Sequence, residues 1–124
     1  MRNPVMKSAK VNKPFNYRGG HPDYPESFKG YDLRLCVLDD GVALVNLAGM
    51  FKSEKVMLHI PREQIREVRA IDESISLERK NYVDVEVELD GNTYTARFQA
   101  FGGPQKEDGI RLAMEIKRLT FPRN

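Results

Sequence analysis

Two histidines, one cysteine and a short run of alternating carboxylates are the residues of this chain whose types could do chemistry. His21 stands in the segment Tyr17-Arg18-Gly19-Gly20-His21-Pro22, where an imidazole that titrates near neutrality could act as base, metal ligand or pH switch. A metal would need further donors at short spacing. His21 and His59 form no HxH or HxxxH pair, so no metal site is expected. Cys36 is the single thiol, which excludes an intramolecular disulfide and a thiolate cluster. A nucleophile needs a positioned base beside it. Cys36 lies in an alternating apolar stretch and reads instead as a small buried hydrophobe. No G-x-S-x-G elbow supports serine hydrolysis. Asp84, Glu86 and Glu88 fall at period two, the pattern of the solvated face of a sheet. Asp39-Asp40-Gly41 offers too few oxygens for a calcium loop. Gly102-Gly103-Pro104 lacks the ending of a P-loop, and Glu107 and Asp108 just after it would repel phosphate. The expectation is a protein that is not an enzyme and has no cofactor and no metal.

Binding is the remaining class. Tyr17, Gly19, Gly20, His21 and Pro22 are candidates for a ligand contact or for docking the N-terminal segment, with His21 read first as a structural hydrogen-bonding group. A small enzyme using His21 as acid or base ranks last. Lys52, Lys55, Arg62, Arg66 and Arg69 are candidates for a basic patch. Glu63 and Glu67 interleave with them, which limits attraction for anionic lipid, and no aromatic residues alternate with them to stack bases. Nucleic acid is therefore not an expected partner.

Charge and composition narrow the setting. Residues 1–30 carry six bases against two acids, +4, which leaves −2 for the remainder of a chain whose net charge is +2. That total is too small to imply nucleic acid or a membrane by itself. Four prolines and three glycines break any regular period in the same stretch. It reads as an irregular basic arm, with a single domain over residues 31–121. No apolar run reaches the ~18–20 residues of a membrane span, and no signal-like core is seen. With one cysteine, a cytoplasmic location is expected.

The elements that must position these residues are mostly strands. Tyr31, Leu33, Leu35 and Val37 alternate with polar neighbours, and Asp39-Asp40-Gly41 turns the chain into Val42–Leu47. Val56, Leu58 and Ile60 make the next strand, Pro61 opens a corner, and residues Ile65–Ile71 follow. A weaker strand is read at Ile75–Arg79. Val83–Leu89, the Asp90-Gly91 turn and Thr93–Ala100 form the clearest hairpin. Leu112, Ala113, Ile116 and Leu119 then fall at helical spacing, opposite Arg111, Glu115 and Arg118, and Pro122 ends the helix. The fold class read from this order is mainly β with one C-terminal helix: seven antiparallel strands in a sandwich or partly open barrel, capped by the helix.

The strand order, the Asp39-Asp40-Gly41-Val42 turn, the Ile60-Pro61-Arg62-Glu63-Gln64-Ile65 corner and the closing helix together resemble bacterial pleckstrin-homology-like (PH-like) domains. The resemblance covers residues 31–120 and implies a seven-stranded, roughly orthogonal sandwich. The Tyr17-x-Gly-Gly-His21-Pro22-x-x-Pro25 segment is similar to lead-ins before such domains in uncharacterised bacterial proteins. Eukaryotic phosphoinositide-binding members carry Lys and Arg around the first hairpin and a Trp in the helix. Here the turn is Asp39-Asp40 and the chain has no Trp, so that ligand is not expected. The resemblance implies a non-catalytic interaction module, with a protein or peptide as the expected partner and an anionic membrane as the alternative.

Overall fold

The computed structural model of the chain describes residues 9, 11–24, 26–27, 33–48, 53–75, 77, 80–100 and 105–121. In chain order the elements are β1 (Val11–Tyr17), β2 (Leu33–Leu38), β3 (Gly41–Ala48), β4 (Ser53–Pro61), a 3-10 turn (Arg62–Gln64), β5 (Ile65–Asp72), β6 (Asn81–Leu89), β7 (Asn92–Ala100) and helix α1 (Gln105–Thr120). Strict alternation became strand wherever it was strongest. Val83, Val85 and Val87 of β6 face Ala96 and Phe98 of β7 in the core, all fully buried. Asp90 and Gly91 join the two strands with φ of 53° and 81°, the pair of positive angles that lets a two-residue turn follow the strand twist.

The strands pair in the order β4-β3-β2-β1-β7-β6-β5, all antiparallel, and the two end strands do not close on each other. The fold is therefore mainly β, an open seven-stranded sandwich-like sheet capped by one helix, as the sequence predicts. β1 is where the sheet changes direction. Its first half pairs with β2, Val11 to Pro14 against Val37 to Arg34, and its second half pairs with β7, Phe15 to Tyr17 against Ala100 to Phe98. A strand that leaves one sheet for the other makes the corner of a sandwich.

Two readings of the sequence are corrected here. The stretch 1–30 is not irregular throughout, because Val11–Tyr17 is the central strand. Pro14 hid it, since proline cannot donate to a ladder. Pro14 is tolerated because it ends the β2-paired half, one residue before the β7 pairing begins. Of the strand expected at Ile75–Arg79, Leu77 lies instead in a turn between β5 and β6, and Ser76, Glu78 and Arg79 lie outside the described residues. Polar side chains hold that turn: the Ser74 amide donates to the Asp72 carboxylate at 3.0 Å, and the Lys80 amide to Ser74 Oγ at 2.9 Å. The strand count of seven is thus reached with β1 in place of Ile75–Arg79.

One core fills the sandwich, built from Phe15, Tyr17, Leu33, Leu35, Leu44, Ile60, Ile65, Val83 and Phe98 among others. α1 begins with Glu107 and Asp108 in its first turn and carries Lys117 and Arg118 in its last, both matched to the helix dipole. Leu112 and Ile116 are fully buried on the core side, and Ala113 nearly so, while the helix packs chiefly on β5 and β6. Each of those two large side chains contributes roughly 1.5–3 kcal/mol by leaving water. Cys36, Ala43 and Val45 form a second small cluster, with Ala9 and Leu38 against it.

Candidate functional site

The Gly-Gly-His-Pro segment leaves β1 along β7. The Arg18 amide donates to the Arg97 carbonyl at 2.7 Å, and the Arg97 amide donates to the Gly19 carbonyl at 3.0 Å. Two residues thus oppose one, a bulge that Gly19 allows at φ 95°. Gly20, at φ 106°, lies so close to β7 that a Cβ there would fall 1.8 Å from the Thr95 carbonyl oxygen. The chain then folds back over Tyr17. The Tyr17 hydroxyl donates to the Tyr24 carbonyl and accepts from the His21 amide at 3.0 Å. The Tyr17 ring meets those of Tyr24 and Phe98 at centroid distances of 5.6 and 5.4 Å. His21 is 1% exposed, and its Nδ1 accepts the Asp23 amide at 3.1 Å. Its Nε2 is buried with no hydrogen-bond partner, and burial pushes the imidazole's pKa down. Burial likewise pushes the Tyr17 phenol up.

Tyr17, Gly19, Gly20 and His21 come together around a knot that fastens the end of β1, and Pro22 is exposed on its turn. The two glycines serve the backbone. His21 serves it too, as acceptor for Asp23.

The other chemical candidates are occupied or shielded. Asp84 is not on a solvated face: it is 5% exposed, and Arg97 grips it with Nε and Nη2 at 2.8 and 2.9 Å. The guanidinium also stacks 4.4 Å from the Tyr82 ring centroid and stands 3.8 Å from Glu73. The bond to Asp84 is the largest cause holding the Arg97 pKa above its ordinary value. Glu88 pairs with Arg66 at 2.9 Å. Cys36 is fully buried, and desolvation pushes its thiol up to about 11, so thiolate is scarce at neutral pH. His59 is exposed on β4 with Asp40 at 3.4 Å. Among the described residues no group of three or more His, Cys, Asp or Glu is placed to hold a metal ion.

The basic candidates are spread over β4, the 3-10 turn and β5. Lys52 lies outside the described residues. Lys55 is exposed near one end of β4, while Arg62 follows Pro61 at the other, six strand residues or about 20 Å away. Arg66 is bonded to Glu88 and to the Glu63 carbonyl. Arg69 is exposed and sits opposite Asp84 in the β5–β6 register.

What the sequence did not reveal is the edge of β5 beside α1, with which no second strand pairs among the described residues. The Glu73 amide donates to the Lys80 carbonyl at 2.8 Å, and the same register runs back through Ile71↔Tyr82 and Arg69↔Asp84. Hydrogen-bonded pairs alternate in an antiparallel ladder, so Arg69 and Ile71 bond to β6 while the amides of Val68 and Ala70 turn to the open edge. The Val68 amide is met there by the Glu67 carboxylate at 2.9 Å. Next to Ala70 lies a cleft of about 70 Å³ between β5, β6 and the first half of α1, lined by Ala70, Ile71, Tyr82, Gly109 and Ile110, with the Asp72–Lys106 ion pair (3.8 Å) beside it. Ile110 and Met114 were legible as apolar residues outside the core stripe of the helix. The position of β5 at the end of the sheet was not legible, because it depends on β1 inserting between β2 and β7.

The other end of the sheet is blunted. On β4 the Arg62 amide donates to the Asp40 carbonyl at 2.8 Å, which by the same alternation turns Pro61 toward the outside, where a missing N–H costs nothing. A register break between Leu44 and Val45 and the exposed Lys55 protect the rest of that edge.

Comparison with family models, with curated proteins and with solved structures found no match to this chain. Among the described residues, no helix is long and apolar enough to cross a membrane.

Proposed function

We propose that this chain is a non-catalytic binding module of PH-like form, and that it takes an extended peptide as an added strand on the edge of β5. The observation that carries this reading is the outward-turned Ala70 amide on a terminal strand, next to an apolar cleft under α1. Strand addition draws affinity from main-chain hydrogen bonds and specificity from pockets for alternate side chains. One peptide residue would bond to Ala70, and an apolar side chain next to it would enter the cleft beside Ile71 and Ile110. The blunting of β4 favours β5 as the edge used. The burial of His21 supports a structural role over a catalytic one. The dispersal of Lys55, Arg62, Arg66 and Arg69 supports a peptide over an anionic membrane.

Panning the purified chain against a displayed random peptide library supplies the probe, and the selected peptide is then titrated into isotope-labelled protein. Amide signals of Ala70, Ile71, Gly109 and Ile110 are expected to move. Ala70→Pro removes the outward N–H but leaves the ladder bonds of Arg69 and Ile71, so it should weaken the peptide about tenfold while leaving the fold intact. Selected peptides that bind Ala70→Pro as tightly as the parent chain would sink this reading.

A further inference from the structure

The cleft between β5, β6 and α1 contains a polar group that the fold does not use. Asn81, at the start of β6, lines it and is only 4% exposed. Among the described residues nothing hydrogen-bonds its carboxamide, which has two donors and an acceptor to satisfy. The charged pair at the rim is engaged: Asp72 holds Lys106 at 3.8 Å and accepts the Ser74 amide at 3.0 Å.

Two small residues open the way to Asn81. Pairing sets Ala70 opposite Val83 and Asp72 opposite Asn81, so all four side chains stand on one face of the sheet. Ala70 is the low step on that face between the outer edge of β5 and the inside of the cleft. Above it, Gly109 stands in the interior of α1, where alanine is the more favourable residue. Its φ is not positive, and a Cβ there would meet Val83 Cγ2 at 3.7 Å, an ordinary contact. Neither conformation nor packing calls for glycine at 109. Its missing side chain adds to the cleft instead.

We infer, resting on the strand-addition reading, that the cleft takes the carboxamide head of a glutamine from the added peptide, and that Asn81 and Gly109 set this specificity. A cavity of ~150 Å³ accommodates the six carbons of benzene. About 70 Å³ therefore holds about three heavy atoms, as many as a carboxamide has. A second carboxamide satisfies Asn81 on both sides, each NH2 donating to the other's carbonyl. A carboxylate only accepts and would stand beside Asp72, while an ammonium only donates and would leave the Asn81 NH2 without an acceptor. Length decides among the neutral heads. A strand added to β5 lies two strand spacings, about 10 Å, from β6. The two methylenes of glutamine carry its head across Ala70 and lie against Ile110, so the side chain that enters has an apolar stem and a polar end. Asparagine, serine and threonine stop over Ala70.

Peptides panned from the displayed random library on the full chain are aligned and synthesised. A glutamine at one fixed position is expected. Replacing it by asparagine, glutamate or leucine should each weaken binding to the parent chain about tenfold, read by titration calorimetry. Asn81→Leu keeps the size of the side chain but removes its hydrogen bonds. It should reverse the order and bind the leucine peptide more tightly than the glutamine peptide, a crossover that general damage to the fold does not produce. Gly109→Ala should raise the melting temperature by about 4 °C and weaken the glutamine peptide about tenfold. If Asn81→Leu fails to fold, the peptide substitutions on the parent chain decide alone. Peptides that lose affinity on Ala70→Pro but share no glutamine overturn this inference and leave strand addition standing. So does a parent chain that binds the glutamine and leucine peptides equally, or Gly109→Ala binding as tightly as the parent. Peptides indifferent to Ala70→Pro remove strand addition, and this inference with it.

Discussion

His21 shows how one buried ring couples the fold to pH. Because Nδ1 accepts the Asp23 amide, the proton of the neutral ring resides on Nε2, and a second proton would have to displace that bond inside a site only 1% exposed. Its pKa in the fold lies below the ordinary 6.5, with burial as the main cause and Asp23 opposing it. The unfolded chain therefore binds the proton more readily than the folded one. Stability contributed by this group is fully present above pH 6.5 and is lost as pH falls from there through the lowered folded value. Urea unfolding between pH 7.5 and pH 5 is expected to show a slope of up to about 1.4 kcal/mol per pH unit from this residue. His21→Ala should flatten it, while lowering stability at pH 7.5 by about 1–2 kcal/mol for the lost bond and packing. That His21 would be hydrogen-bonded was legible in its setting between two glycines and a proline. Its particular partner was not, since an amide two residues on becomes a donor only once Tyr17 has drawn the segment back.

The strands carry a similar lesson about what local pattern can and cannot say. Asp84, Glu86 and Glu88 look alike in sequence, yet Asp84 is sealed under Arg97 because β7 brings that guanidinium opposite it and Tyr82 offers a ring face beneath. Arg97→Met strands a buried carboxylate. The cost is expected to be about 2 kcal/mol in denaturant unfolding, less than for a fully buried pair because Arg97 is itself a third exposed. Adding Asp84→Asn should recover most of it. On the neighbouring strand, Glu67 occupies the Val68 amide and so guards the edge of β5. Glu67→Ala frees that donor and should tighten a strand-adding peptide about three- to tenfold, as read by titration calorimetry. Alternation revealed β2 to β7 and the i, i+4 pattern revealed α1. β1 was missed because Pro14 and a surrounding run of basic residues resemble loop composition, and only long-range pairing makes them a strand.

At the scale of the whole molecule, the open order β4-β3-β2-β1-β7-β6-β5 determines which surfaces are left for partners. Among the described residues it leaves β4 and β5 at the two ends of the sheet, the first blunted and the second the edge on which the proposed function rests. None of these could be read from composition, since exposure of an edge is a property of the pairing order. The same order has a consequence for how the protein is made. Phe15 pairs with Ala100, 85 positions later in the chain. The first half of β1 finds β2 early, but its second half must wait for β7. At about 5–20 residues per second, that wait is on the order of 4–17 s of synthesis. Throughout it, Phe15 and Tyr17, which end fully buried, have no strand beside them. The strand that joins the two halves of the sandwich is thus synthesised before both of its partners and is the last to be satisfied, and the nascent chain is most open to aggregation and chaperone capture in that interval.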